Sequence, residues 1–358
     1  MKLIQKLIGT ALVLASLSLV APISAAQDNP KEIRIGISAA GVAGKPKVGY
    51  SYVPTAHLRG ILEEEFRKDG IKVVWNLFPG AGPSTNEALA NRRVDFGWHG
   101  DLPMIVGRST GLRTKIILAA GRFGPVYFVV PQDSQAKSLE DLKGQTISTF
   151  KGTASQLLLN RLLKKYGLKE SDFRVISQDQ FSVRTSLSTG DIAGAIVSPW
   201  TLEARGVARR LLEIRDDPNL IGALSFWVSE EFEQKYPHVV QRVVTALVKQ
   251  AHWNSLEENR DAQFRLWAQM GIPFVDWKKD WEGYDLRHRH SPLLDAYYVD
   301  AIKRAVQESK EFRLIRRDVT VDDWVEPKYL DNALKSLKLE GFWPTFDAAG
   351  NITKAQSE

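Results

Sequence analysis

Cysteine is absent from this chain of 358 residues, which excludes disulfides, a thiolate metal site and a cysteine nucleophile. The lipid-modified cysteine that tethers many exported bacterial proteins is missing for the same reason. There is no dense basic stripe interleaved with aromatics, so nucleic acid is not an expected partner. Neither a P-loop nor a dinucleotide glycine signature stands in proper context, and no cofactor is expected. The chain shows no internal repeat and no low-complexity tract. One long apolar run occurs, Leu7 to Val20, and it is short for a membrane span of roughly 20 residues. Lys2 and Lys6 precede it and Ser24-Ala25-Ala26 follows, so residues 1–26 read as a secretory signal cleaved near Ala26. A mature chain starting near Gln27 and diffusing freely in a periplasm is the expectation.

What is present has the composition of a folded, soluble protein, with 44% hydrophobic and 25% charged residues on a length that allows two domains. The formal charge is +6, and without Lys2 and Lys6 it is about +4, a modest excess able to steer anions.

Strand and helix patterns alternate. Ile33-Arg34-Ile35-Gly36-Ile37 reads as a strand, Leu58, Ile61, Leu62 and Phe66 recur at near-helical spacing, and Ile71 to Leu77 is a second strand. Ser84 with Glu87 makes a capping box that places the next helix start there. Val94-Asp95-Phe96-Gly97-Trp98-His99-Gly100-Asp101 is a buried strand running into a glycine-flanked turn, where backbone N–H groups can approach a bound molecule. Mainly parallel α/β sheets follow from this alternation.

After Thr114 to Ala120, the break Gly121-Arg122-Phe123-Gly124-Pro125 marks a crossing into a second lobe. Strands at Val126–Val130, Gln145–Phe150, Phe173–Ile176 and Ile192–Val197 follow, and Ala223 to Val228 brings the chain back. The expected organisation is a first lobe over 27–121, a second lobe over 122–223, a return to the first lobe with C-terminal helices over 224–345, and a loose polar tail at 346–358. Two crossings suit a hinge, and ligands of open α/β sheets sit beyond the carboxyl ends of the strands. A small anion held without chemical change is the expected cargo.

Gly152-Thr153-Ala154-Ser155 opens a strong helix, where unpaired N–H groups, the positive dipole end and two hydroxyls suit an oxyanion. The same residues also describe an ordinary capped helix, with Thr153 and Gln156 as a capping box. Arg122, in the crossing, either grips an anion through two N–H groups or sits on the surface. Trp98, Trp200, Trp227 and Phe181 stand at or beside strand ends as pocket wall or as core. No nucleophile can be placed beside His99 and Asp101, so catalysis is not expected of them. His288 and His290, flanked by arginines, read as a solvated charged segment rather than a metal site. The loop over 38–54, with Lys45, Lys47, Tyr50 and Tyr52, is either a specificity loop over the crevice or a surface excursion.

An ordered set of segments carries a resemblance: Phe78-Pro79-Gly80-Ala81-Gly82-Pro83, Val94 through Pro103, Leu139-Glu140-Asp141-Leu142-Lys143-Gly144, Phe150 through Ser155, Gly190 through Ala195, Ser225-Phe226-Trp227 and Trp324-Val325-Glu326-Pro327. Together they resemble the periplasmic solute-binding proteins of ABC importers for aliphatic sulfonates, close to those for taurine and nitrate. The resemblance implies a type 2 periplasmic-binding fold, two α/β lobes joined by a two-crossing hinge, with delivery of the anion to a membrane permease driven by an ATPase. A monomer is expected. Ligand contacts are implied at Gly80, Gly82, His99, Gly100, Asp101, Gly152, Thr153, Ala154, Ser155, Pro199 and Trp200, with Arg122 added from its place in the crossing.

Two departures bear on the cargo. The loop after Gly36 is longer than in the sulfonate binders, and Ser198 stands where those proteins tend to place an aspartate before the proline. An aliphatic sulfonate leads, with taurine, nitrate, a sulfate ester or an aromatic acid as alternatives. Enzymes of thiamine-precursor synthesis also resemble this superfamily, but they rely on a cysteine-containing segment. A sensory adaptor is a third reading.

Overall fold

The computed structural model describes residues 28–39, 47–215 and 217–354. The signal segment and Lys45 lie outside the described residues. The chain first lays down strands β1 (Glu32–Ile37), β2 (Lys72–Leu77), β3 (Phe96–Gly100) and β4 (Thr114–Gly121). It then builds β5 (Val126–Pro131), β6 (Thr146–Thr149), β7 (Arg174–Ser177), β8 (Gly194–Ile196) and β9 (Ala208–Ile214), before returning as β10 (Leu224–Ser229). Two five-stranded sheets result, ordered β2-β1-β3-β10-β4 and β7-β6-β8-β5-β9. The chain passes between them after β4 and again after β9.

Each sheet is half parallel, which corrects the expectation of mainly parallel pairing. β1 runs parallel to β2 and β3, whereas β10 is antiparallel to both β3 and β4. In the second sheet β6 is parallel to β7 and β8, and β5 is antiparallel to β8 and β9. The antiparallel members are the strands beside the crossings, where the chain enters a sheet from the other lobe. β9 was not expected from the sequence: Arg209 and Arg210 break its apolar alternation, and it pairs only as an edge strand with a register shift against β5.

Helices cover the sheets. In the first lobe these are α1 (Tyr52–Leu58), α2 (Ile61–Phe66), α3 (Ala81–Ala90) and α4 (Asp101–Ser109). The second lobe carries α5 (Ala154–Lys165), α6 (Gln180–Thr189) and α7 (Trp200–Ala204). Then come α8 (Glu230–Lys235), α9 (Pro237–Ser255), α10 (Arg260–Ala268), α11 (Phe274–Asp280), α12 (Leu286–His290), α13 (Ala296–Glu311) and α14 (Lys328–Leu337). α9 explains itself: Pro237 opens it, and Val239, Val240, Val243, Val244, Leu247 and Ala251 recur on one buried face. That face packs with Ile33, Ile35, Phe96 and Phe226 of the first sheet in one core cluster. Phe128, Ile147, Leu159 and Leu162 form the counterpart in the second lobe.

Three further expectations are corrected. α3 begins at Ala81, three residues before Ser84, because Gly80 rather than Ser84 occupies its N-cap. The tail pairs with itself: Thr345–Phe346 runs antiparallel to Ile352–Lys354, and 355–358 fall outside the described residues. The histidine segment is helical rather than solvated, with His290 1% exposed and stacked on Trp281 at 4.7 Å, and the Arg289 guanidinium 3.5 Å from the Trp281 ring. An aromatic cluster offers these groups π faces that solvent would not.

Candidate functional site

A cavity of about 190 Å³ lies between the lobes at the carboxyl ends of the central strands. From the first lobe Ser38 follows β1, Ala81 and Gly82 follow β2, and Trp98, His99 and Gly100 end β3. From the second lobe Ser148 to Phe150 end β6, Thr153 to Ser155 open α5, and Gln178 to Phe181 open α6. Tyr50 and Met270 complete the wall from elsewhere in the chain.

Four helix amino ends therefore meet one space, those of α3, α4, α5 and α6. Each contributes N–H groups and the positive end of its dipole, an arrangement that favours negative charge. At α5, the Thr153 hydroxyl accepts from the Ser155 amide at 3.2 Å and donates to Phe150 O at 2.7 Å. Gln156 does not close the expected capping box, because its Oε1 accepts from the Gly152 amide at 2.8 Å instead. Gly152 adopts φ +77° before this helix, a left-handed turn that a side chain rarely takes.

Opposite polar atoms of the wall are left without partners. Trp98 Nε1, Ser148 Oγ and Gln178 Oε1 are buried and unbonded. The Gln178 amide can also be read turned over, since its Ser186 neighbour at 2.8 Å is a hydroxyl that can donate or accept; its NH₂ would then be the unpaired group. A buried polar atom without a partner costs about 1–3 kcal/mol, which acceptor oxygens of a ligand would recover.

The structure separates the expected site residues into two sets. Gly82, His99, Gly100, Thr153, Ala154 and Ser155 come together on the cavity wall. Gly80 and Gly152 lie one or two positions away and shape the turns into α3 and α5. Both ring nitrogens of His99 are already engaged, Nε2 accepting from Trp227 Nε1 at 3.0 Å and Nδ1 donating to Gly100 O at 3.2 Å. Burial pushes its imidazolium down to about 4, so at neutral pH the ring is uncharged and serves to hold β10 against β3.

Asp101, Arg122, Pro199 and Trp200 are directed elsewhere. The Asp101 carboxylate, fully buried, pairs with Arg161 of α5 at 2.9 Å, and Arg161 pairs in turn with Glu308 of α13 at 2.6 Å. The triad joins the lobes and is turned away from a solute. Arg122 is 4% exposed and spends its fork on both Asp295 carboxylate oxygens, at 3.0 and 2.9 Å, and on Leu293 O. Trp200 donates its N–H to Asp280 of α11, and Ser198 reaches the same carboxylate at 3.3 Å. The aspartate missing before Pro199 is thus met by one from α11.

Tyr52 is buried and donates to Ala119 O, while Tyr50 holds φ +64° and sets its ring 5.2 Å from that of Trp98. Ser148, Gln178, Asp179 and Met270 were missed in the sequence. Of these only Asp179 carried a signal, an N-cap aspartate before Phe181-Ser182, and that signal marks a helix rather than a ligand.

Two sheets of matching strand order around a cavity lined by helix amino ends make this a periplasmic-binding fold. The chain belongs to the NMT1/THI5 like family, whose sequence pattern matches residues 65–255. It is 26% identical over 314 residues to a protein named as an aliphatic sulfonates-binding protein of Bacillus subtilis (strain 168), covering 85% of this chain and 89% of that one. Its structure is similar to the periplasmic sulfonate-binding protein SsuA of Methylobacillus flagellatus KT, with 29% identity, a TM-score of 0.73, and 88% and 98% of the two chains covered. It is also similar to the alkanesulfonate-binding protein SsuA of Xanthomonas axonopodis pv. citri bound to MOPS, with 26% identity, a TM-score of 0.68, and 84% and 99% covered. Among the described residues no helix is long and apolar enough to cross a membrane.

Proposed function

We propose that this protein captures a small organic sulfonate in the cavity between its lobes, without transforming it, and delivers it from the periplasm to an ABC permease. The observation that carries the reading is the convergence of helix amino ends with unpaired buried groups, Trp98 Nε1 and Ser148 Oγ, around one cavity. A sulfonate remains ionised at any physiological pH and presents three acceptor oxygens, which matches neutral donors and dipoles that need no titrating partner. Gly82, Gly100 and Thr153 to Ser155 are its contacts in this reading. The lobes correspond to 27–121 with 224–345 and to 122–223, and the cleaved mature chain acts as a monomer.

Thermal unfolding of the mature chain from Gln27 with alkyl and aryl sulfonates, taurine, sulfate esters, nitrate and aromatic carboxylates tests this. A sulfonate at about 100 times its dissociation constant should add about 2.7 kcal/mol to stability. A shift with nitrate or carboxylates and none with sulfonates would refute the cargo while leaving a transport role.

A further inference from the structure

The charge that the described residues give the cavity wall has the wrong sign for a simple anion. Among the described residues the titratable groups lining it are Tyr50, His99 and Asp179, and no lysine or arginine joins them. His99 is neutral through its burial and its two ring contacts. The described wall thus carries one carboxylate.

Asp179 caps α6. Its Oδ1 accepts the amides of Phe181 at 2.8 Å and Ser182 at 3.2 Å, and its Oδ2 accepts the Ser182 hydroxyl at 2.7 Å. Burial pushes this carboxyl up, but those hydrogen bonds outweigh it and hold the group below the usual carboxylate range, so it is charged at neutral pH. A carboxylate offers about four acceptor positions, which leaves Oδ2 room for one more donor. The contacts around Asp179 come from uncharged groups, and Lys151, which follows Phe150 of the cavity wall, is paired with Glu170 at 3.7 Å. The rings of Tyr50, Trp98, Phe150 and Phe181 share the same wall, and aromatic faces favour an organic cation.

We propose that Asp179 selects zwitterionic sulfonates, in which the sulfonate lies at the amino end of α5 and an ammonium group on the same ligand pairs with the Asp179 carboxylate. This rests on the cavity holding a sulfonate. A plain alkanesulfonate would bring a second negative charge into a small space that already holds one. A ligand that carries its own cation turns that repulsion into a pair.

The test is calorimetric titration of the mature chain with aminopropanesulfonate and with butanesulfonate, which replaces the ammonium by a methyl group at equal length. A second pair, a tertiary ring amine and its carbocyclic counterpart on the same sulfonate chain, covers larger organic groups. The zwitterion of each pair should bind roughly 10- to 100-fold tighter. Asp179→Asn keeps an N-cap side chain, so the helix is retained; it should abolish that preference and tighten butanesulfonate several-fold. Raising the pH through the ligand amine's own pKa should weaken the amine and leave a trimethylammonium analogue unaffected. If butanesulfonate binds wild type as tightly as its partner and Asp179→Asn changes nothing, the proposal is overturned and sulfonate capture stands. If no sulfonate of either kind binds, both readings fail.

Discussion

Gly100→Ala tests whether contact between the lobes is what makes a binding site. A Cβ built on Gly100 would lie 2.5 Å from Ala154 Cβ across the cleft, whereas ordinary carbon contacts begin near ~3.5 Å. The backbone at Gly100 is extended, at φ −79° and ψ 179°, so alanine suits the first lobe by itself. The clash is relieved only by moving α5 away by about 1 Å, and α5 is the element whose amino end faces the cavity. Stretching one charge-assisted hydrogen bond by that distance forfeits about 2 kcal/mol, or roughly 30-fold in affinity. Ala154→Gly removes the methyl group that is struck, so the double variant should recover most of the loss. Titration calorimetry on wild type, both single variants and the double variant forms a complete cycle. Wild-type affinity in Gly100→Ala, or no recovery in the double variant, would refute the idea that this contact sets the ligand geometry.

Two other outcomes follow from buried groups. Ser148→Ala deletes an unpaired buried hydroxyl, so the unligated protein should unfold at the same or a slightly higher urea concentration while sulfonate affinity falls about tenfold. His99 has its pKa lowered from 6.5 to about 4, so the unfolded state binds the proton more readily and stability is lost as pH falls through that window. Its contribution is full above the unfolded value and drops by about 2 kcal/mol between about pH 7 and about pH 5. The difference between wild type and His99→Gln in urea unfolding at the two pH values reads this increment.

The alternation of strands and helices was legible because burial on a sheet and on a helix leaves periods of two and 3.6 in the chain, as the start of β1 and the buried face of α9 show. The place of Gly100 and Thr153 on the cavity wall was legible for a related reason: the space beyond the carboxyl ends of the strands is bounded by the turns and helix starts that follow them. Local reading failed where a residue's partner is distant in sequence. Arg122 and Asp295 stand 173 positions apart, and Trp200 and Asp280 stand 80 apart. Nothing beside either residue in the chain announces the carboxylate that captures it.

The sequence by itself therefore determined most of the elements, their order, the two crossings and the small residues at the turns, because these depend on neighbours within a few positions, while the edge strand β9 escaped it. Only the tertiary structure decided which side chains face the cavity and what charge it carries. Asp101 and Arg122 became ties within the protein, His99 a neutral brace, and Asp179 the lone carboxylate of the described wall. Such assignments follow from burial and from partners brought together across the fold, since the cost of leaving a buried charge unpaired is settled only once every neighbour is in place.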